Sequence, residues 1–140
     1  MTAQVLQYGT FTRGKEIIRP EPNSPSGRIR RTQDDPLLAQ TRNIPMVQGT
    51  KFGFCFGIEN APQDGHIELA ARVTHPELKR ADGRTSTSYS VPQYVQVSGK
   101  SGSACVGYGL DSPFELVPGA WTFVIAYQGV DLLKQEFVVQ

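Results

Sequence analysis

Two cysteines and two histidines offer the most chemistry in this chain. Cys55 and Cys105 could pair, or one could act as a nucleophile, with His66 or His75 as the base. A nucleophilic thiol needs a base or a positive neighbour to lower its pKa. No spacing in the chain sets a cysteine beside a histidine. His66 and His75 stand nine apart with no further ligand at metal spacing, so the four residues make a zinc set only by number. No metal site and no catalytic residue is assigned. Two cysteines are too few for a disulfide framework. In a reducing compartment they are expected to be free thiols, acting as small inert side chains.

The stretch GKSGSACVGYG, from Gly99, has the look of a glycine-rich loop. It lacks the Gly-x4-Gly-Lys-Ser/Thr order and no helix follows, so nothing is there to hold a phosphate. It reads as a hairpin turn, and no cofactor is assigned. Arg28, Arg30 and Arg31 cluster between Arg19 and Arg42. Their functional reading is contact with phosphate or an acidic partner; the plainer one is a solvated loop. They are the candidate partner-binding residues. No aromatic residue interleaves them, and net charge is +1, which argues against nucleic acid.

The element that must organise the rest is Glu115 to Val139. Pro118-Gly119 is a turn pair. Trp121, Phe123, Ile125 and Tyr127 then alternate with Thr122, Val124 and Ala126, a half-buried strand. Gln128-Gly129 turns the chain, and the return strand carries Leu133, Phe137 and Val139 on one parity. Val130, Leu132 and Val138 make the other parity apolar too, which points to a bulge or to cover on both faces. The Trp-Phe-Ile-Tyr stripe is read as core rather than as a stacking platform.

Earlier strands follow the same logic. Ala3 to Phe11 is the first, with Gly9 as a candidate bulge. In Lys51 to Ile58, Phe52, Phe54 and Phe56 alternate with Gly53, Cys55 and Gly57; the aromatic parity faces the core and the small parity admits a close neighbour. His66 to Thr74 is a half-buried strand ended by His75-Pro76. Tyr89 to Val97 is a strand that Pro92 confines to an edge or splits. Ala104 to Leu110 is the next. The segment from Thr12 to Asn43 stands apart: it is Pro- and Arg-rich and is expected to be a long surface loop. Within it DDPLLAQT carries a short-helix signal. A loop of that length is uncommon, which leaves room for a crossing strand near Ile17-Ile18.

The chain of 140 residues fits one domain, with the Pro/Arg-rich loop at about 12–43. Its Gly and Pro content suits an all-β chain with many turns. Seven or eight strands at regular spacing predict an antiparallel β-sandwich. No apolar run reaches the length of a membrane helix. The N-terminus lacks a basic start and apolar run, so a cytoplasmic protein is expected.

The pattern Pro118-Gly-x-Trp121-x-Phe123-x-Ile125 resembles the closing hairpin of bacterial immunoglobulin-like and fibronectin-like domains. Together with Arg42-Asn-Ile-Pro45 before the Phe52-Gly-Phe54 strand, and with His75-Pro76, it resembles an uncharacterised bacterial family, a domain of unknown function. The resemblance covers most of 42–140 and none of the Arg-rich loop. It implies an immunoglobulin/fibronectin-like sandwich and no activity. The glycine-rich motif of the related ApaG type is absent.

The expected function is that of a non-catalytic module binding a protein partner or itself, by a sheet edge or the Arg-rich loop. The alternative is a small-molecule or carbohydrate binder, or a weak enzyme, with a site built from the loops 60–65, 77–87 and 98–102.

Overall fold

The computed structural model describes residues 1–12, 16–26, 28–32 and 36–140, and for 16–19 and 28–32 the backbone alone. In chain order the strands are β1 (Thr2–Phe11), β2 (Glu16–Pro20), β3 (Arg28–Thr32), β4 (Leu37–Ala39), β5 (Asn43–Ile44), β6 (Lys51–Glu59), β7 (Gly65–Lys79), β8 (Thr85–Val97), β9 (Gly102–Gly109), β10 (Gly119–Tyr127) and β11 (Val130–Val139). A 3₁₀ turn, Pro113–Glu115, precedes β10. Four strands form one sheet in the order β4-β1-β6-β9, and five form the other in the order β5-β11-β10-β7-β8. This is an all-β immunoglobulin-like sandwich. Its two sheets hold nine of the described strands, against the seven or eight expected; β2 and β3 pair only with each other.

The alternation read in the sequence sets which face is buried. Phe52, Phe54 and Phe56 of β6 are fully buried, as are Trp121, Phe123 and Ile125 of β10 and Phe137 of β11, while Tyr127 is half-buried at the edge of the same core. The aromatic rings meet edge to face: Phe52 on Trp121 at 5.4 Å, Phe52 on Phe137 at 5.4 Å and Phe54 on Phe123 at 5.7 Å between centroids. Such geometry sets the positive edge of one ring against the negative face of another. On the small parity of β6, a Cβ at Gly53 would overlap the backbone of Val106 and Gly107 on β9, and Gly57 lies under Leu6 of β1. The close neighbours are thus the flanking strands themselves.

Several expectations are corrected. The 12–43 segment is not one long loop: its described part contains the β2–β3 ribbon, with Ile17 and Ile18 in β2. DDPLLAQT forms no helix over its described residues; Leu37–Ala39 pairs with β1 instead, because the edge of β1 offers ladder partners that a lone helical turn would lack. His75-Pro76 does not end β7. The strand shifts register between Thr74 and Leu78 and continues to Lys79, so the bulge absorbs the proline. Against β6 the register of β1 shifts between Val5 and Gln7 rather than at Gly9, and against β4 it shifts between Thr10 and Phe11; Gly9 is needed because a Cβ there would strike the Ala39 carbonyl of β4. The closing hairpin does carry a bulge, between Ile125 and Ala126. β8 is continuous through Pro92 and is an edge strand.

Candidate functional site

The registers place Glu59, Gly65, Val97 and Gly102 at one end of the sandwich, and Lys79, Thr85, Gly109 and Gly119 at the other. The three loops expected to share a site are therefore split. At the first end, 60–65 and 98–102 are zipped together: the Asp64 carboxylate accepts the amides of Gly99 and Lys100, and Ala61 N–H donates to the Lys100 carbonyl. The turn after β7 belongs to the second end.

That second end holds the densest titratable cluster among the described residues. The bulge of β7 turns His75 inward, 6% exposed, onto the face of Trp121 at 4.9 Å. Tyr108 of β9 packs on the same indole at 4.8 Å, and Tyr89 of β8 lies 6.2 Å from Tyr108. The 3₁₀ turn drives Glu115 underneath, 1% exposed; its carboxylate accepts the Tyr108 hydroxyl and the amides of Asp111 and Ser112. The His75 Nδ1–H donates to the Pro76 carbonyl at 2.7 Å, which leaves Nε2 to accept from the Ser86 hydroxyl at 3.3 Å.

Burial sets the electrostatics. It pushes His75 below its ordinary pKa, against the Pro76 carbonyl, which favours the charged ring. Burial raises Glu115 above the usual carboxylate range, opposed by the hydrogen bonds it accepts. Tyr108 is raised by burial and by the adjacent Glu115 charge, and Tyr89 by burial and the same carboxylate. An acid or base must reach a substrate within hydrogen-bond distance. His75, Glu115 and Trp121 are sealed from solvent, so the cluster closes the end of the core instead of facing a ligand. The sequence hid it: Glu115 and His75 looked like corner and strand-end residues, and the 3₁₀ turn with the β7 bulge brings them together. Ser24 and Pro25, between β2 and β3, are also buried, and the Ser26 side chain hydrogen-bonds Tyr108. The tip of the ribbon thus docks at this end.

Above Tyr89, on the outer face of β7, β8 and β10, runs an open groove of about 400 Å³ lined by Arg72, Thr74, Ser88, Ser90, Thr122 and Val124. The Arg72 guanidinium is ion-paired with Asp131. Arg28, Arg30 and Arg31 lie on β3, opposite Pro20, Ile18 and Ile17 of β2; their side chains lie outside the described residues. Cys55 and Cys105 are not free thiols. They oppose each other in register on β6 and β9, Cα atoms 3.9 Å apart, and form a disulfide. Sequence distance concealed this: the pairing of β6 with β9 alone sets residues fifty apart side by side. Among the described residues no group of three His, Cys, Asp or Glu side chains could hold a metal ion, and no helix is long and apolar enough to cross a membrane.

Comparison with known proteins sets this architecture in context. A solved structure described as an immunoglobulin-like protein from Pseudomonas aeruginosa is 22% identical, with 100% of this chain and 98% of that one covered, at a TM-score of 0.70. The likeness shows the fold. An alkylpurine DNA glycosylase from Pseudomonas fluorescens, bound to DNA containing an abasic site analog, is 14% identical over 71% of this chain and 28% of that one; its TM-score of 0.44 is too low to bear on this chain. No curated protein matches the sequence. The model of a family described as a domain of unknown function (DUF3859) matches residues 1–139. The match takes in the Arg-rich segment that the expected resemblance left out.

Proposed function

The chain belongs to the DUF3859 family of unknown function, and from that premise we propose that it is a non-catalytic interaction module whose β2–β3 ribbon binds an acidic protein partner or a second copy of the chain. One observation carries this reading: among the described residues the ribbon pairs with neither sheet. A two-stranded hairpin is marginal by itself in water, and a partner surface laid along this ribbon would add to the support its docked tip already has. At its tip Ser24 and Pro25 are buried and Ser26 hydrogen-bonds Tyr108 at the end of the core. The arginines of β3 give such an arm the charge for carboxylate contacts.

The test is a paired measurement on the purified chain and an Arg28→Glu/Arg30→Glu/Arg31→Glu variant. Light scattering reads self-association, and tagged capture from native cells after nuclease treatment reads partners. The reading expects a dimer, or a stoichiometric partner, that the variant loses. A monomer that captures the same proteins with and without the arginines would overturn it.

A second reading takes the groove beside Tyr89 as a small-molecule site. The Thr74, Ser88, Ser90 and Thr122 hydroxyls with Arg72 suit a polyhydroxylated or anionic ligand. Ligand-induced shifts confined to β7, β8 and β10 would favour it over the arm. The cytoplasmic placement and the cysteine bridge pull in opposite directions, since cytosolic thiols keep such pairs reduced; fractionation with thiol counting separates them.

A further inference from the structure

We infer that Cys105 is a thiolation site: a small thiol of the glutathione class exchanges into the Cys55–Cys105 bridge at the Cys105 sulfur, and Cys55 departs as the thiolate. This does not depend on the ribbon reading. The bridge joins two strands of one sheet, on the face opposite Phe54 and Phe56, which point into the core. Its ends are unlike. Cys105 is exposed, whereas Cys55 is 9% exposed.

The topology makes the difference directional. A thiolate attacks a disulfide in line with the bond that breaks, and access decides which sulfur is taken. β9 is the last strand of its sheet. An approach to Cys105 along the bond comes in over that edge, where no described strand pairs. The opposite approach, to Cys55, passes over β1. There Gln7 is the register partner of Cys55, with its Nε2 3.4 Å from the Cys55 sulfur. Leu6 leans over Gly57 beside it. The same Gln7 amide gives the departing sulfur an N–H donor, which favours the thiolate form.

The step balances without an added oxidant or reductant. The attacking thiolate forms a bond to Cys105, the Cys105–Cys55 bond breaks, and its electron pair stays on Cys55. Return attack by the Cys55 thiolate expels the small thiol and restores the bridge. The chain would carry the thiol as a reversible adduct on an exposed edge strand.

The experiment uses the full chain purified without reductant, incubated with millimolar glutathione, quenched in acid and peptide-mapped by mass spectrometry. We expect no free thiol at the start and an adduct on Cys105 in at least about tenfold excess over Cys55, since exchange rates follow access and the leaving thiol. Gln7→Ala, which clears the β1 side, should lower that ratio while circular dichroism stays unchanged. Two titratable thiols at the start, an excess of adduct on Cys55, or a bridge inert to glutathione would each overturn the inference. So would a ratio unmoved in a folded Gln7→Ala chain.

Discussion

The imidazole of His75 lies stacked on the indole of Trp121, ring centroids 4.9 Å apart and planes 27° from parallel. The residue before a proline is held to extended backbone. Here the β7 bulge turns it onto the only Trp of the chain.

That contact gives stability a pH dependence. Burial lowers the folded-state pKa of His75 below its ordinary 6.5. The unfolded chain therefore binds the proton more tightly, and protonation favours unfolding. His75 contributes stability that is fully present above pH 6.5 and is lost as pH falls through the lower, folded-state value. Denaturant melts of wild type and His75→Phe should show this slope in the first and not in the second. Parallel slopes would place the titration elsewhere.

Glu115 works in the opposite sense. Its folded pKa is raised above 4.5, so its contribution is present below that value and is lost as pH rises through the folded value. Glu115→Gln keeps an acceptor for the amides of Asp111 and Ser112 and a donor for the Tyr108 oxygen. It should remove that loss and leave the His75 slope intact. Glu115→Ala strands those buried donors and should cost about 2–4 kcal/mol in urea denaturation.

Trp121 has no exposed surface, and its Nε1–H finds no partner among the described residues. Truncation to Ala should cost about 3–5 kcal/mol. Phe keeps an aromatic ring for the stack and removes the unpaired donor, so its cost should be smaller, on the order of 1–2 kcal/mol. Equal losses in chemical melts would mean that the N–H is satisfied after all.

Reduction of the bridge should be felt globally. Cys55 and Cys105 are separated by 50 residues, and the chain-entropy relation gives about 4 kcal/mol for closing a loop of that size. Thermal melts with and without a strong reductant read the difference. A reduced chain melting at the same temperature would show that the β6–β9 ladder alone already holds the strands.

Gly53 and Gln128 test the backbone in opposite directions. An Ala at Gly53 meets β9 backbone and should destabilise by about 1–3 kcal/mol or more. Gln128 and Gly129 both hold positive φ, 48° and 83°, the pair a tight hairpin turn requires. Gln128→Asn should raise stability by roughly 0.5 kcal/mol, since Asn tolerates that region better. Both shifts are readable in the midpoint of urea unfolding.

The sequence by itself determined the sandwich. Period-two alternation in Phe52 to Ile58, Ile67 to Val73 and Trp121 to Tyr127 decides which side of each strand is buried, because a one-residue slip would expose the whole apolar set. Turn pairs such as Gln128-Gly129 and Pro118-Gly119 mark where strands stop for equally local reasons. Only the tertiary structure decided what meets what. Ladder pairing set Cys105 beside Cys55, and a bulge with a 3₁₀ turn brought His75, Tyr108 and Glu115 to one end. It also decided that Leu37–Ala39 is a strand, since an open edge of β1 outweighed a local helix signal. Pairing between strands far apart in sequence leaves no periodic trace in either strand, so these contacts could be found only once the sheets were assembled.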